Sequence, residues 1–178
     1  MIVSHKHKFI FLKTRKTAGT SIELALSRFC GEEDIITPIG RTDRHRDTHS
    51  QRGAQNFRTA PEDGEPHGGE GEISYYNHMP AKRVRALIGE KVWDGYFKFC
   101  FERNPWDKAI SLYFWRARKQ ETRHPSLLEF LRSEKAGHEK QGGKSSRLSN
   151  FSIYGVGGEV VVDHVGFYED LGSVRVSV

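Results

Sequence analysis

Six consecutive residues, Lys16-Thr17-Ala18-Gly19-Thr20-Ser21, combine a cation, hydroxyl groups and two side chains small enough to bare the backbone. They follow the apolar run Phe9-Ile10-Phe11-Leu12 and precede a segment carrying Ile22, Leu24, Ala25, Leu26 and Phe29. A buried strand, a loop of small residues and then a helix is the arrangement in which backbone N–H groups and a helix N-terminus converge on an anion. Ala18 and Gly19 let a phosphate approach the main chain, Thr20 and Ser21 add donors, and Lys16 adds a point charge at the mouth. A Walker A loop would read G-x-x-x-x-G-K-[ST], whereas here Lys16 precedes Gly19. The plainer reading is a Thr or Ser cap on a helix that follows an edge strand.

The pattern recurs at Arg103-Asn104-Pro105-Trp106-Asp107-Lys108-Ala109-Ile110-Ser111. Arg103 stands at the carboxyl end of an aromatic-rich strand, Tyr96 to Phe101, where open α/β sheets bind ligands. Pro105 opens a helix with Ile110, Leu112, Tyr113 and Trp115, and Ser111 lies two turns into it. An Arg fork and a hydroxyl converging from strand and helix suit a terminal phosphomonoester. The alternative is a surface Arg103 paired with Asp107.

These residues need elements to position them. The first strand and helix are Phe9–Leu12 and a segment ending near Gly31. Pro80 to Ile88 reads as a helix with Pro in its first turn, Pro125 to Leu131 as another. Val160-Val161-Val162 together with Val165-Gly166-Phe167 reads as one further strand. Residues 40–72 hold one large apolar side chain, Phe57, among Arg, Asp, His, Gly, Glu and Pro, and read as a long polar surface loop. Gln141 to Ser146 is a shorter Gly/Ser/Lys loop. Alternating strands and helices predict an α/β fold, with a central, mostly parallel sheet flanked by helices.

Composition narrows the class. The chain has 178 residues, 36% apolar and 29% charged, with eleven Phe, six Tyr and three Trp, which fits a single globular domain over 1–178. No apolar run approaches the roughly 18–20 residues that span a bilayer, and the short Phe9–Leu12 run between Lys8 and Lys13 makes no signal peptide. A cytoplasmic location is expected. Cys30 and Cys100 are too few for a disulfide framework, and Cys100 reads as a buried free thiol. The sequon Asn150-Phe151-Ser152 carries no meaning without secretion. A net charge of +5 favours an anionic partner without choosing among them.

Taken together, the two loops resemble the sulfotransferases that use 3′-phosphoadenosine 5′-phosphosulfate (PAPS), especially the carbohydrate type that includes heparan sulfate 2-O-sulfotransferase and bacterial relatives. Lys16-Thr17-Ala18-Gly19-Thr20-Ser21 is similar to that family's first loop throughout. Its second reads R-N-P-x-x-R-x-x-S-x-Y, matched by Arg103, Asn104, Pro105, Ser111 and Tyr113. Val165-Gly166-Phe167-Tyr168-Glu169-Asp170-Leu171 is similar to its late segment. The resemblance implies a P-loop-kinase-like sulfotransferase fold in a bacterial member. It implies that Lys16 and the loop from Thr17 to Ser21 hold the donor's 5′-phosphosulfate, and that Arg103 and Ser111 hold its 3′-phosphate. PAP would be the product nucleotide, and no metal would be required. The chain departs from the pattern with Arg15 in place of Pro and Lys108 in place of Arg. It also stops at Val178, where the resemblance implies a further helix.

Such a transfer needs a base for the acceptor's proton. His78, in Tyr75-Tyr76-Asn77-His78-Met79-Pro80, occupies a place between the two loops similar to the family's proposed catalytic His, and a neutral imidazole is available at physiological pH. Glu72 and Glu102 are reserve candidates, and a simple packing role for His78 is the bland alternative. His45 and His49 alternate with Arg and Asp in a basic stretch, weak ground for a metal site. The expected acceptor is a small molecule or glycan, not nucleic acid, with its hydroxyl or amine as nucleophile. A kinase-like phosphotransferase and a non-catalytic polyanion-binding module are the competing readings.

Overall fold

The computed structural model describes residues 1–39, 52–59, 73–118, 125–140 and 148–172. Glu72, the stretch Arg44–His49, the Gly/Ser/Lys loop and the last six residues lie outside these segments. A five-stranded sheet forms the centre, in the order β3 (Ile35–Ile36), β1 (Ile2–Ser4), β2 (Phe9–Phe11), β6 (Phe97–Glu102) and β9 (His164–Phe167). β2 pairs parallel with β6, and β6 with β9, while β1 runs antiparallel to both β2 and β3. The sheet is therefore mixed. The expected parallel arrangement holds for the three strands that deliver the motifs. β1 reverses because only the tight turn after Ser4 joins it to β2, and parallel neighbours need a long crossover.

Side chains alternate across this sheet, as the pleat requires. On one face Val3, Ile10, Leu12 and Cys100 pack with Met79, Ala81, Val84 and Trp93. These come from the segment leading into α2 (Ala81–Ile88) and from α3 (Glu90–Gly95). On the other face Ile2, Phe11 and Ile36 pack with Phe9, Phe99 and Phe101 and with Ile22 and Leu26 of α1 (Gly19–Ser27). Phe11 and Phe99 lie 5.4 Å apart, ring to ring, across the parallel pair. Helices on both faces make this an α/β fold.

Several elements differ from expectation. The deepest residues of α1 are Gly19, Glu23 and Ser27, whereas Ala25 and Phe29 face outward. Glu23 can be buried because its carboxylate meets the Lys13 ammonium at 2.7 Å and the Met1 ammonium at 3.1 Å. The expected strand near Val160 divides. β7 (Gly155–Val156) and β8 (Glu159–Val160) form a hairpin of their own, and only β9 joins the main sheet. Within the stretch 40–72, residues 52–59 include a strand. β4 (Arg58–Thr59) pairs with β5 (Ile73–Ser74), and the Gln55 side chain donates to the carbonyls of Gly31 and Asp34 at 2.7 and 2.8 Å. The helix predicted at 125–131 extends as α5 (Leu127–Lys140), and the short α6 (Phe151–Tyr154) precedes the hairpin. Among the described residues no helix is long and apolar enough to cross a membrane.

Candidate active site

Three parallel strands end at one edge of the sheet, and each hands over to one of the segments singled out from the sequence. After β2 the chain enters the first loop. Thr14 donates its hydroxyl to the Phe101 carbonyl and lies 2.8 Å from the Thr17 hydroxyl, so both threonines are spent on holding the loop. Lys16 and Ala18 both take left-handed backbone angles, with φ of 64° and 55°. Non-glycine residues in that region store strain that their surroundings must hold, as happens where a backbone is shaped for a ligand. α1 then starts on Ala18 with no side chain capping it and no acidic residue in its first turn. The Thr/Ser cap reading therefore fails: the helix N-terminus is left open toward whatever occupies the loop.

Gly19 is needed for packing, not for its dihedrals. A Cβ there would lie 2.8 Å from Cγ of Lys13 and 3.3 Å from the Thr14 carbonyl oxygen. Loop and helix thus close onto a buried Lys13–Glu23 pair.

The loop forms one wall of a cavity of about 630 Å³, lined also by Asn77, His78, Leu112 and Trp115. His78 likewise has a left-handed backbone, φ 62°. Its Nδ1 lies 2.9 Å from the Lys13 carbonyl oxygen. A carbonyl only accepts, so Nδ1 carries the proton and Nε2 keeps its lone pair. Burial is the main force lowering the His78 pKa, to about 4, and the positive Arg15 and Lys13 add to it against the Lys13 carbonyl bond. The imidazole is neutral at physiological pH.

Lys16 also titrates below its ordinary value, first through burial and then through the charges of Arg103 and Arg118. Its ammonium sits 5.7 Å from the centre of the Trp115 ring, on α4 (Pro105–Ala117). Asn104 caps that helix through its side-chain oxygen, 3.0 Å from the Trp106 amide, and Pro105 takes the first position. Arg103, at the end of β6, is not paired with Asp107. Its Nη1 reaches the Lys16 carbonyl at 3.5 Å, and its buried Nε has no hydrogen-bond partner. A buried guanidinium nitrogen without an acceptor, beside a second cation, is the deficit that an anion would fill.

A sequence profile of the sulfotransferase family matches residues 1–154. The chain belongs to the sulfotransferase family. A curated protein of Archaeoglobus fulgidus, described as uncharacterized, is 38% identical over 96 residues, covering 52% of this chain and 72% of its own length. No solved structure matches.

Within this sulfotransferase the predicted residues divide. Lys16, Thr17, Ala18, Gly19, Thr20 and His78 share the main cavity. Ser21 is exposed and does not line it. Arg103 lines an adjoining depression of about 460 Å³ with Glu102, Lys108, Ser149 and Asn150. Ser111 lines neither space; it is half-buried on α4, one turn before Trp115. Glu102 is a poor reserve base, because its carboxylate already accepts from Lys108 at 3.1 Å and Asn150 at 3.2 Å.

Three residues had gone unnoticed as parts of the site. Trp115 read as one member of a helical stripe, but its ring is 41% exposed and faces Lys16. Tyr168, in the 3-10 turn after β9, stacks under the Arg103 guanidinium at 4.2 Å. Glu169 accepts from the Asn104 amide at 2.8 Å. The late segment thus braces Arg103 and Asn104, although it lies beyond the matched residues.

Proposed function

We propose that this sulfotransferase moves the sulfuryl group of PAPS onto a hydroxyl or amine of an acceptor, and that the acceptor is a carbohydrate. The observation that carries the donor assignment is the Arg103 Nε, buried and unsatisfied, on a side chain that reaches the Lys16 carbonyl beside an uncapped helix N-terminus, with Arg118 adding positive charge to the field at Lys16. Like charges held this close repel, and the arrangement gains its compensation from a polyanion. PAPS supplies the activated sulfuryl group. Lys16 and the amides from Ala18 onward would hold its 5′ end, and Arg103 its 3′-phosphate.

Lys16 would also meet the charge that develops on the departing phosphate oxygen, in a site already partly shielded from water. His78 would accept the acceptor's proton at Nε2. Nδ1 meanwhile keeps its bond to the Lys13 carbonyl, which fixes ring orientation and tautomer through the reaction. A low imidazole pKa makes a weak base, but negative charge bound beside it raises that value. Base strength would therefore develop only when the donor is in place. A carbohydrate acceptor follows from the resemblance to the carbohydrate type.

The test is transfer from labelled PAPS to a panel of glycans and small hydroxyl and amine compounds, alongside calorimetry of PAP and 5′-AMP. Product with a saccharide, and PAP bound more tightly than 5′-AMP, are expected. Equal affinity for the two nucleotides would remove the donor assignment. Transfer only to non-sugar compounds would remove the acceptor class alone.

A further inference from the structure

Asn150 heads the glycosylation triplet, yet it is 1% exposed. Its Oδ1 accepts from the Arg15 amide at 2.9 Å, and its Nδ2 donates to the Arg15 carbonyl at 3.1 Å. One side chain thereby satisfies both main-chain groups of the residue just before left-handed Lys16. The same Nδ2 donates to Glu102 at 3.2 Å. That carboxylate oxygen also accepts the Lys108 ammonium at 3.1 Å and the Arg103 amide at 3.3 Å. Lys108 is itself only 3% exposed.

A continuous, partly buried path of hydrogen bonds thus runs from the main chain of the first anion loop, through Asn150 and Glu102, to the Arg103 amide and α4. Such side-chain networks rigidify what they join. The two loops lie 87 residues apart in sequence at Lys16 and Arg103. Directly between the loops, Thr14 donates to the Phe101 carbonyl and Arg103 reaches the Lys16 carbonyl across a long 3.5 Å.

We propose that Asn150 is a positioning residue that holds the two anion-binding loops at the separation a doubly phosphorylated nucleotide needs, so that its two ends bind cooperatively. The inference rests on the donor reading above. The same bonds bar the side chain from carrying a glycan in the folded protein. Asn150 touches no reacting atom; it acts through Arg15 and Arg103.

Calorimetry of the full chain with PAP and with 5′-AMP tests the proposal, using wild type, Asn150→Ala and Asn150→Asp. The aspartate variant keeps the size of the residue and an acceptor for the Arg15 amide but loses both donated bonds, so it carries the test if the alanine variant does not fold. The preference for PAP over 5′-AMP should fall about tenfold in the variants, with 5′-AMP affinity much less affected. A purely structural role would lower the denaturation midpoint and weaken both nucleotides alike, and an unchanged preference in either folded variant overturns the proposal. A wild type without that preference overturns the donor reading and this inference together; preference in wild type that survives substitution overturns this inference alone.

Discussion

At the scale of single residues, the site joins a neutral histidine to a group of cations. Replacing His78 with alanine should cut turnover by about 10²–10⁴-fold and leave PAP affinity nearly unchanged, as steady-state kinetics and calorimetry would show. Arg103→Ala should instead weaken PAP and erase the preference for a 3′-phosphate, since it removes the buried fork. His78 also makes the fold acid-sensitive. Its pKa falls from 6.5 to about 4 on folding, chiefly through burial, so the unfolded chain takes up this proton first as pH drops. The contribution is complete above pH 6.5 and is lost progressively toward the folded value. About 2 kcal/mol should disappear between about pH 7 and pH 5. Urea titrations of wild type and His78→Asn at both conditions should show a smaller loss in the variant. The places of Lys16, Gly19 and Arg103 at strand–helix junctions were legible in local sequence, and His78 was singled out by its place between the two loops. Trp115, Tyr168 and Asn150 were not, because distant segments bring them there.

Among the elements, the strand–loop–helix unit depends on how closely α1 approaches the loop. Gly19→Ala would push a methyl group to 2.8 Å from Lys13, whose ammonium is fixed at 2.7 Å by Glu23 and cannot swing aside. A loss of about 1–3 kcal/mol is expected, as for overpacking, together with weaker PAP binding. Gly95→Ala, with open space around it, is the control that should cost little. Helices and strands with strong signals, such as β6 and α4, emerged from the sequence nearly intact. β1, β3 and the β7–β8 hairpin did not, because strands of two or three residues are too short to show periodicity. The amphipathic reading of α1 held only in part: Ile22 and Leu26 pack on the sheet, but the deepest positions are Gly19, Glu23 and Ser27, and the partners of Glu23 make its burial tolerable.

For the whole molecule, that buried charge group ties the sheet to the first helix beneath the site. Glu23 is fully buried and Lys13 is 4% exposed. Burial alone would raise the Glu23 pKa, but the Met1 and Lys13 ammonium groups bring it below its ordinary value. Glu23→Gln should cost about 3–5 kcal/mol, because it strands buried cations. Adding Lys13→Met should recover part of that loss, and a urea double-mutant cycle would measure both. The sheet's mixed order belongs to this scale as well. Strand direction is set by which connections can close, and no periodicity within a strand encodes it.

Local chemistry is readable along the chain: small residues and a lysine between strand and helix, an arginine at a strand's end, a histidine before a helix. Each of these is written in neighbours a few positions away, where steric and capping rules act directly. Which of them meet was settled by the folded arrangement. It turned Nε2 of His78 into the free nitrogen, left the Arg103 Nε buried without an acceptor, and set Asn150 between the two loops. Those outcomes depend on burial and on hydrogen bonds across dozens of residues, and both come into being only when the chain closes on itself.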